Sequence, residues 1–255
     1  MLASRQIVIT KSGGIFNTMG GKGKLLIDGD IVAYRAAFAT QDLFPEDATA
    51  KVDDLIFHIM DNCLDLPFPS EEDFQVYLTG PSNFRHDVAK SYPYKGNRKS
   101  ADKPIHLGLT REYLVDKCGA ITSSNEEADD LIAKEAASLN YNCVVASVDK
   151  DMLQIPCWHF NFSKNEMKKV DEFEGLKFFY TQILTGDRAD NIVGLYKVGP
   201  VTASNILKGC KTEGDLWEAV VNAYGEDVER VVENARLLWL RRYDNQMWEP
   251  PSKEG

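Results

Sequence analysis

Cysteine is sparse and unpatterned in this chain of 255 residues. There are five (Cys63, Cys118, Cys143, Cys157 and Cys210), an odd number, widely scattered and without a CxxC pair. The four histidines also sit far apart, so a disulfide framework and a zinc site are both excluded as organising features, and a reducing cytoplasm fits. Long apolar runs are missing as well. Nothing approaches the ~20 residues of a membrane span, and the opening MLASRQIVITKSGGIFNTMGGKGK lacks a signal-peptide core. Residues 1–23 read as a flexible leader, with Met19 an alternative start. Repeats and low-complexity tracts are absent. So is net positive charge: the formal balance is −10, against the basic footprint expected of a nucleic-acid protein. Either the chain never meets DNA, or its acid is concentrated in a metal site while short basic segments carry phosphate contacts.

What is present is an alternation of strands and helices. Lys24 to Asp28 is an apolar run ending in a carboxylate, and Ile31 to Ala39 has good helix propensity. Residues 52–64 carry apolar side chains at helical spacing, and Phe74 to Thr79 reads as a second strand. Gly80 to Ile105 is broken by Pro and Gly and reads as basic loop. Ile105 to Cys118 is helical. Ser124 to Glu127 has capping-box spacing and opens another helix. Cys143 to Val148 and Cys157 to Phe162 are strands. Beyond residue 175 the strands stop, and a long helix near 226–243 closes the chain. The pattern predicts a mostly parallel sheet flanked by helices over 24–175, followed by a helical region over 176–255.

Acids stand at the expected strand ends. In an open parallel sheet, ligands bind past the carboxyl ends of the strands. Asp28 follows LLI and Asp149 follows CVVASV, with Asp30 and Asp151 two residues on. A single acid there is usually a cap or turn residue; the same feature at two strand ends is less easily dismissed. Glu126, Glu127, Asp129 and Asp130 crowd the start of one helix. The helix dipole accounts for the first two. Asp129 and Asp130 are poor interior helix residues, and Glu127 and Asp130 share a face with no basic neighbour nearer than Lys134. Thr185 to Asn191 adds Asp187 and Asp190. Oxygen ligands without His or Cys point to a hard ion, Mg²⁺ or Mn²⁺. The number of carboxylates allows two ions, ~3.5–4 Å apart, clamping the attacking and leaving oxygens of a phosphodiester.

Two segments suit nucleic acid. Gly194 to Pro200 has the GxxxxGP pattern of a hairpin between helices, with Pro200 opening the second helix and Gly199 before it. A plain interhelical turn has the same pattern. Ser91 to Lys99 interleaves aromatics, Tyr94 among them, with Lys95, Arg98 and Lys99, as single-strand binding segments do; a solvated basic loop is the alternative. Lys90 and Arg85 extend the charge, and Arg35 on the first helix points to the same acidic rim.

Taken in order, LLIDGD, YKGNR, EADD, SVDKD and TGDRADNIVGLYKVGPVTA resemble the motifs of the 5′ nuclease family: flap endonucleases, phage 5′–3′ exonucleases and the 5′ nuclease domain of bacterial DNA polymerase I. The resemblance runs from about Leu25 to Leu207. It implies a PIN-like α/β fold with a C-terminal helix-hairpin-helix region. It also implies metal ligation by Asp28, Glu127, Asp129, Asp130, Asp149, Asp151, Asp187 and Asp190, and phosphate contacts by Lys95 and Arg98. DNA contacts are implied for Arg35, Tyr94, Lys99, Gly194, Lys197, Gly199 and Pro200. The implied activity is Mg²⁺-dependent hydrolysis of DNA with a free 5′ end or flap, beside replication proteins or in host-DNA breakdown, in a phage setting. One departure stands out: after the second strand, where the family usually has an Asp, this chain has Gly80. Two rivals are a haloacid-dehalogenase-like phosphohydrolase, imitated by Asp28-Gly-Asp30 and Gly186 to Asp190, and a non-catalytic structure-specific DNA-binding protein.

Overall fold

The computed structural model describes residues 23–63, 73–97, 103–225 and 227–252. The leader, apart from its last residue, and Arg98 and Lys99 lie outside the described residues.

The centre is a six-stranded sheet. Strands β1 (Lys24–Asp28), β2 (Phe74–Leu78), β3 (Ile121–Thr122), β4 (Cys143–Ala146), β5 (Trp158–Asn161) and β6 (Glu166–Lys169) run in the order β3-β2-β1-β4-β5-β6. All neighbours pair in parallel except β5 with β6, which form an antiparallel edge. Successive side chains of a strand face opposite ways, and β1 shows the consequence. Leu25 and Ile27 join one core with Val32, Ile56 and Leu114, beneath α1 (Gly29–Ala39), α2 (Pro45–Cys63) and α4 (Leu107–Cys118). Leu26 joins a second core with Ile132 and Val145, beneath α5 (Ala128–Ser138). Every core member of β1 and β4 is fully buried, as strands covered on both faces must be.

A third core belongs to α6 (Glu172–Thr185), α7 (Pro200–Ile206), α8 (Glu213–Ala223) and α9 (Val228–Leu238). Phe179, Ile183, Leu216, Val220 and Ala235 fill it, and Tyr94 from the basic segment is part of it.

Several elements differ from the sequence reading. The 80–105 stretch contains a short helix, α3 (Arg85–Val88). Strands do not stop at 175, because β7 (Gly186–Asp187) and β8 (Ile192–Val193) form a two-residue antiparallel ladder. The closing helix is shorter than 226–243. The capping residue of α5 is Glu127 rather than Ser124, with the Asp130 side chain accepting from the Glu127 N–H at 3.1 Å.

Candidate active site

Strand order reverses between β1, which continues to β2, and β4, which continues to β5. The crevice at such a switch point is where open α/β sheets bind ligands. Asp28 closes β1 there and caps α1, its Oδ1 accepting from the Ile31 N–H at 3.2 Å. Its Oδ2 accepts from Ser147 Oγ at 2.6 Å, across the switch from the end of β4. Helix α1 can start this close to the sheet only because residue 29 is glycine: a Cβ there would stand 2.6 Å from the Tyr77 carbonyl oxygen. The short 3-10 turn Lys150–Gln154 follows β4. Asp149 caps it, accepting from the Asp151 N–H at 2.9 Å, and Asp151 accepts from Gln182 Nε2 at 2.7 Å.

The electrostatics are those of acids short of counter-charge. Burial, then Asp30 and Asp149, push the Asp28 carboxyl up to about 7 against the hydrogen bonds from Ser147 and Ile31. Asp151 is also raised to about 7, by burial and then by Asp149 and Asp187. Asp149, although more exposed at the rim, is raised as well, by partial desolvation and then by Asp187 and Asp190. Asp129 is raised well above the carboxylate range, by burial and then by Asp28, Glu127 and Asp149. Among the described residues, Asp129 has no hydrogen-bond donor and no ion-pair partner. A carboxyl in that position is neutral or needs a cation.

On the other side of the crevice two lysines bridge the acids. Lys95 Nζ is ion-paired with Glu127 and lies 3.8 Å from Asp190. Lys150 Nζ lies 3.3 Å from Asp187 and 4.0 Å from Asp151. The Tyr94 hydroxyl sits between Glu127 at 3.1 Å and Asp190 at 2.6 Å, although its single proton can serve only one of them. Among the described residues, no three Asp, Glu, His or Cys side chains are gathered closely enough to hold a metal ion as they stand. This is consistent with the raised carboxyls, since Coulomb repulsion reaches well beyond the ~2.1 Å of a metal–oxygen bond.

Four expected roles do not match the geometry. Asp130 faces away from the crevice and is fully buried. Arg85 grips both its oxygens, at 2.6 and 2.9 Å, and the Arg241 N–H adds a third contact at 3.1 Å. Burial would raise its pKa, but the guanidinium overrides that and lowers it. Arg85, expected to extend the basic surface, is therefore the missing counter-ion of the acidic helix, and is itself only 1% exposed. Tyr94 is buried and cannot stack on a base. Arg35 is exposed, with its guanidinium 5.6 Å from the centre of the Phe162 ring and, among the described residues, no ion pair to a rim acid. Asp30, which follows Asp28, pairs with Arg111 and accepts from the Thr79 N–H.

Gly80 offers no ligand, and its neighbours explain why. Its N–H donates to Ser123 Oγ at 2.9 Å, and a Cβ would lie 2.1 Å from the Ser123 carbonyl oxygen. The hairpin residues lie together: Gly194 follows β8, exposed Lys197 has φ 62°, and Gly199 caps α7 with Pro200 in its first turn. Ser147, Lys150 and Gln182 escaped the sequence reading as site residues. Only Lys150, lying between Asp149 and Asp151, carried a visible signal.

A parallel sheet with carboxylates massed at its switch point defines a PIN-like α/β fold. The model of the 5′-3′ exonuclease N-terminal resolvase-like domain matches residues 24–187, and the chain belongs to that family. It is 28% identical over 201 residues to a 5′-3′ exonuclease of Buchnera aphidicola, covering 72% of this chain and 69% of the relative. To the flap endonuclease Xni of a Shewanella species it is 28% identical over 164 residues, 58% of this chain and 63% of that one. In fold it is similar to the bacteriophage T5 5′-exonuclease with bound zinc ions, with a TM-score of 0.62 at 18% identity, covering 85% and 89% of the two chains. The dehalogenase-like alternative falls: Asp187 follows helix α6 rather than an apolar strand.

Proposed function

We propose that this chain is a divalent-metal-dependent 5′ nuclease that hydrolyses DNA phosphodiesters at or near free 5′ ends and flaps. The observation that carries the reading is the cation deficit at the sheet's switch point. Asp28 is buried, Asp129 and Asp151 are half-buried, all three are raised by neighbouring acids, and they lack enough donors among the described residues.

A hard ion fits this donor set, which is all oxygen. Asp28, Glu127, Asp129, Asp149, Asp151, Asp187 and Asp190 would hold Mg²⁺ or Mn²⁺, two ions by the number of acids. Bound cations supply positive charge for both the attacking and the leaving oxygen. The chain's own residues do the rest. Lys95 stands against Glu127 and Asp190, where its ammonium can turn to a phosphate oxygen, and Arg98 follows three residues later. The Tyr94 hydroxyl lies between the same two acids and donates to one of them. Ser147 keeps the Asp28 carboxyl aimed into the crevice. The hairpin from Gly194 to Pro200, with exposed Lys197, would grip the duplex backbone. Asp130 has no place among the ligands, because Arg85 occupies both its oxygens. DNA replication or host-DNA breakdown, phage-encoded and in the host cytoplasm, is the setting this activity fits.

Gly80 favours one other reading, a structure-specific DNA-binding protein that does not cut. The two separate cleanly. A 5′-labelled flap and a 5′-recessed duplex are incubated with the protein with and without Mg²⁺. The nuclease reading predicts short labelled products only with metal. DNA binding without any metal-dependent product would establish the rival.

A further inference from the structure

Helix α9 lies outside the residues matched by the family model, yet it touches both loops that meet at the site. Glu233, in its middle, accepts from the Lys90 N–H at 2.8 Å, the Ser91 N–H at 2.7 Å and Ser91 Oγ at 2.5 Å. Burial opposes its ionisation, but these donors and Arg230, 3.5 Å away, hold the carboxyl below its usual range. Arg230, one turn before it, and the adjacent Asn234 both donate to the Val193 carbonyl, at 2.9 and 3.0 Å. One face of α9 thus grips the entrance to the 90–97 segment and the end of the loop carrying Asp187 and Asp190.

Those two segments are tied to each other at their far ends. The Lys95 N–H donates to the Asp190 carbonyl at 2.8 Å, Asn191 Nδ2 to the Pro93 carbonyl at 2.9 Å, and Asn97 Nδ2 to the Arg188 carbonyl at 2.6 Å. Lys95 itself has φ 55°, a left-handed conformation that a lysine keeps only when its surroundings impose it. The Glu233 carboxylate, with three donors on two consecutive residues, anchors the segment four and five residues upstream of Lys95.

We propose that Glu233 is a positioning residue. From the C-terminal helix it fixes the 90–97 segment so that the Lys95 ammonium stands at Glu127 and Asp190. The inference rests on the nuclease reading for its catalytic consequence, but not for its structural one. The test uses the full chain and the variants Glu233→Ala, Lys95→Ala and the double variant, with two readouts. One is the single-turnover cleavage rate of a 5′-labelled flap in Mg²⁺. The other is amide hydrogen exchange across residues 90–97.

Glu233→Ala is expected to speed exchange at 90–97 while β1 and β4 keep wild-type protection. It should slow cleavage about tenfold, a displacement effect. In the Lys95→Ala background the same substitution should cost no further rate, because the two act through one group. A general structural role would lower the rate equally in both backgrounds. Wild-type exchange at 90–97 in Glu233→Ala, or a full additive loss in the double variant, overturns the proposal. Should the wild-type chain fail to cut DNA at all, the nuclease reading falls, and the exchange measurement alone decides whether Glu233 braces the segment.

Discussion

Asp129 and Asp130 are neighbours in sequence and opposites in environment. Asp130 is neutralised by a buried bidentate arginine, whereas Asp129 faces other acids and has no donor among the described residues. Removing one partner of a buried ion pair leaves an uncompensated charge, so Asp130→Asn should destabilise the protein by about 3 kcal/mol or more. Asp129→Asn removes repulsion and should leave the metal-free protein as stable as wild type or more so; urea denaturation compares the two. Titration gives a related expectation. Asp28 and Asp151 bind protons more tightly folded than unfolded, so their contribution to stability falls as pH rises from about 4 through about 7. Asp130 pulls the other way, and its contribution is lost only as pH drops through the carboxylate range. Thermal melts of metal-free protein should therefore fall between pH 5 and pH 8, and Mg²⁺ should restore most of the loss at pH 8. A flat profile that Mg²⁺ does not move would contradict the cation deficit. The sequence displayed the acids but not their allocation: Arg85 is 45 residues from Asp130, and nothing local announces the pair.

Elements were legible where burial is two-sided or periodic. Strands β1, β2, β4 and β5 and helices α1, α2, α4, α5 and α6 follow from apolar runs and helical spacing. The missed strands share a different cause. β3 is two exposed residues, β6 reads Glu-Met-Lys-Lys on an open edge, and β7 with β8 is a two-residue ladder, so none carries a hydrophobic pattern. Helix α9 stops at Leu238 where a tertiary demand intervenes: the carbonyls of Leu237 and Trp239 accept from Arg85, at 2.8 Å each. The start of α5 moved for a similar reason, since Glu126 is held by Lys134 and Arg241. The turn after β2 shows an element constraining chemistry. Because the Ser123 carbonyl fills the space beside Gly80, Gly80→Ala should cost about 1–3 kcal/mol by forcing that backbone aside. Chemical denaturation gives the value, and an unchanged midpoint would show that the turn yields freely. Gly80→Asp is expected to be at least as costly and to add no activity.

Across the whole molecule, the net charge of −10 ceases to be an objection once the acids are located. Many converge on one crevice, and the cations that face them come from two separate segments: Lys95 from the loop after α3, and Lys150 from the turn after β4, between Asp149 and Asp151. Strand order at the switch point, the family match over residues 24–187 and the raised carboxyls agree on where chemistry would occur. Asp129 is the residue whose role is least explained by anything else, because among the described residues no hydrogen bond or ion pair engages its carboxyl. The most direct measurement is the initial rate of Mg²⁺-dependent cleavage of a 5′-flap by Asp129→Asn beside the wild type, with both shown to be folded. The account predicts a folded variant whose rate falls by about a hundredfold or more, as loss of a ligand to the catalytic cation would. A folded Asp129→Asn protein that cuts the flap at the wild-type rate would contradict it.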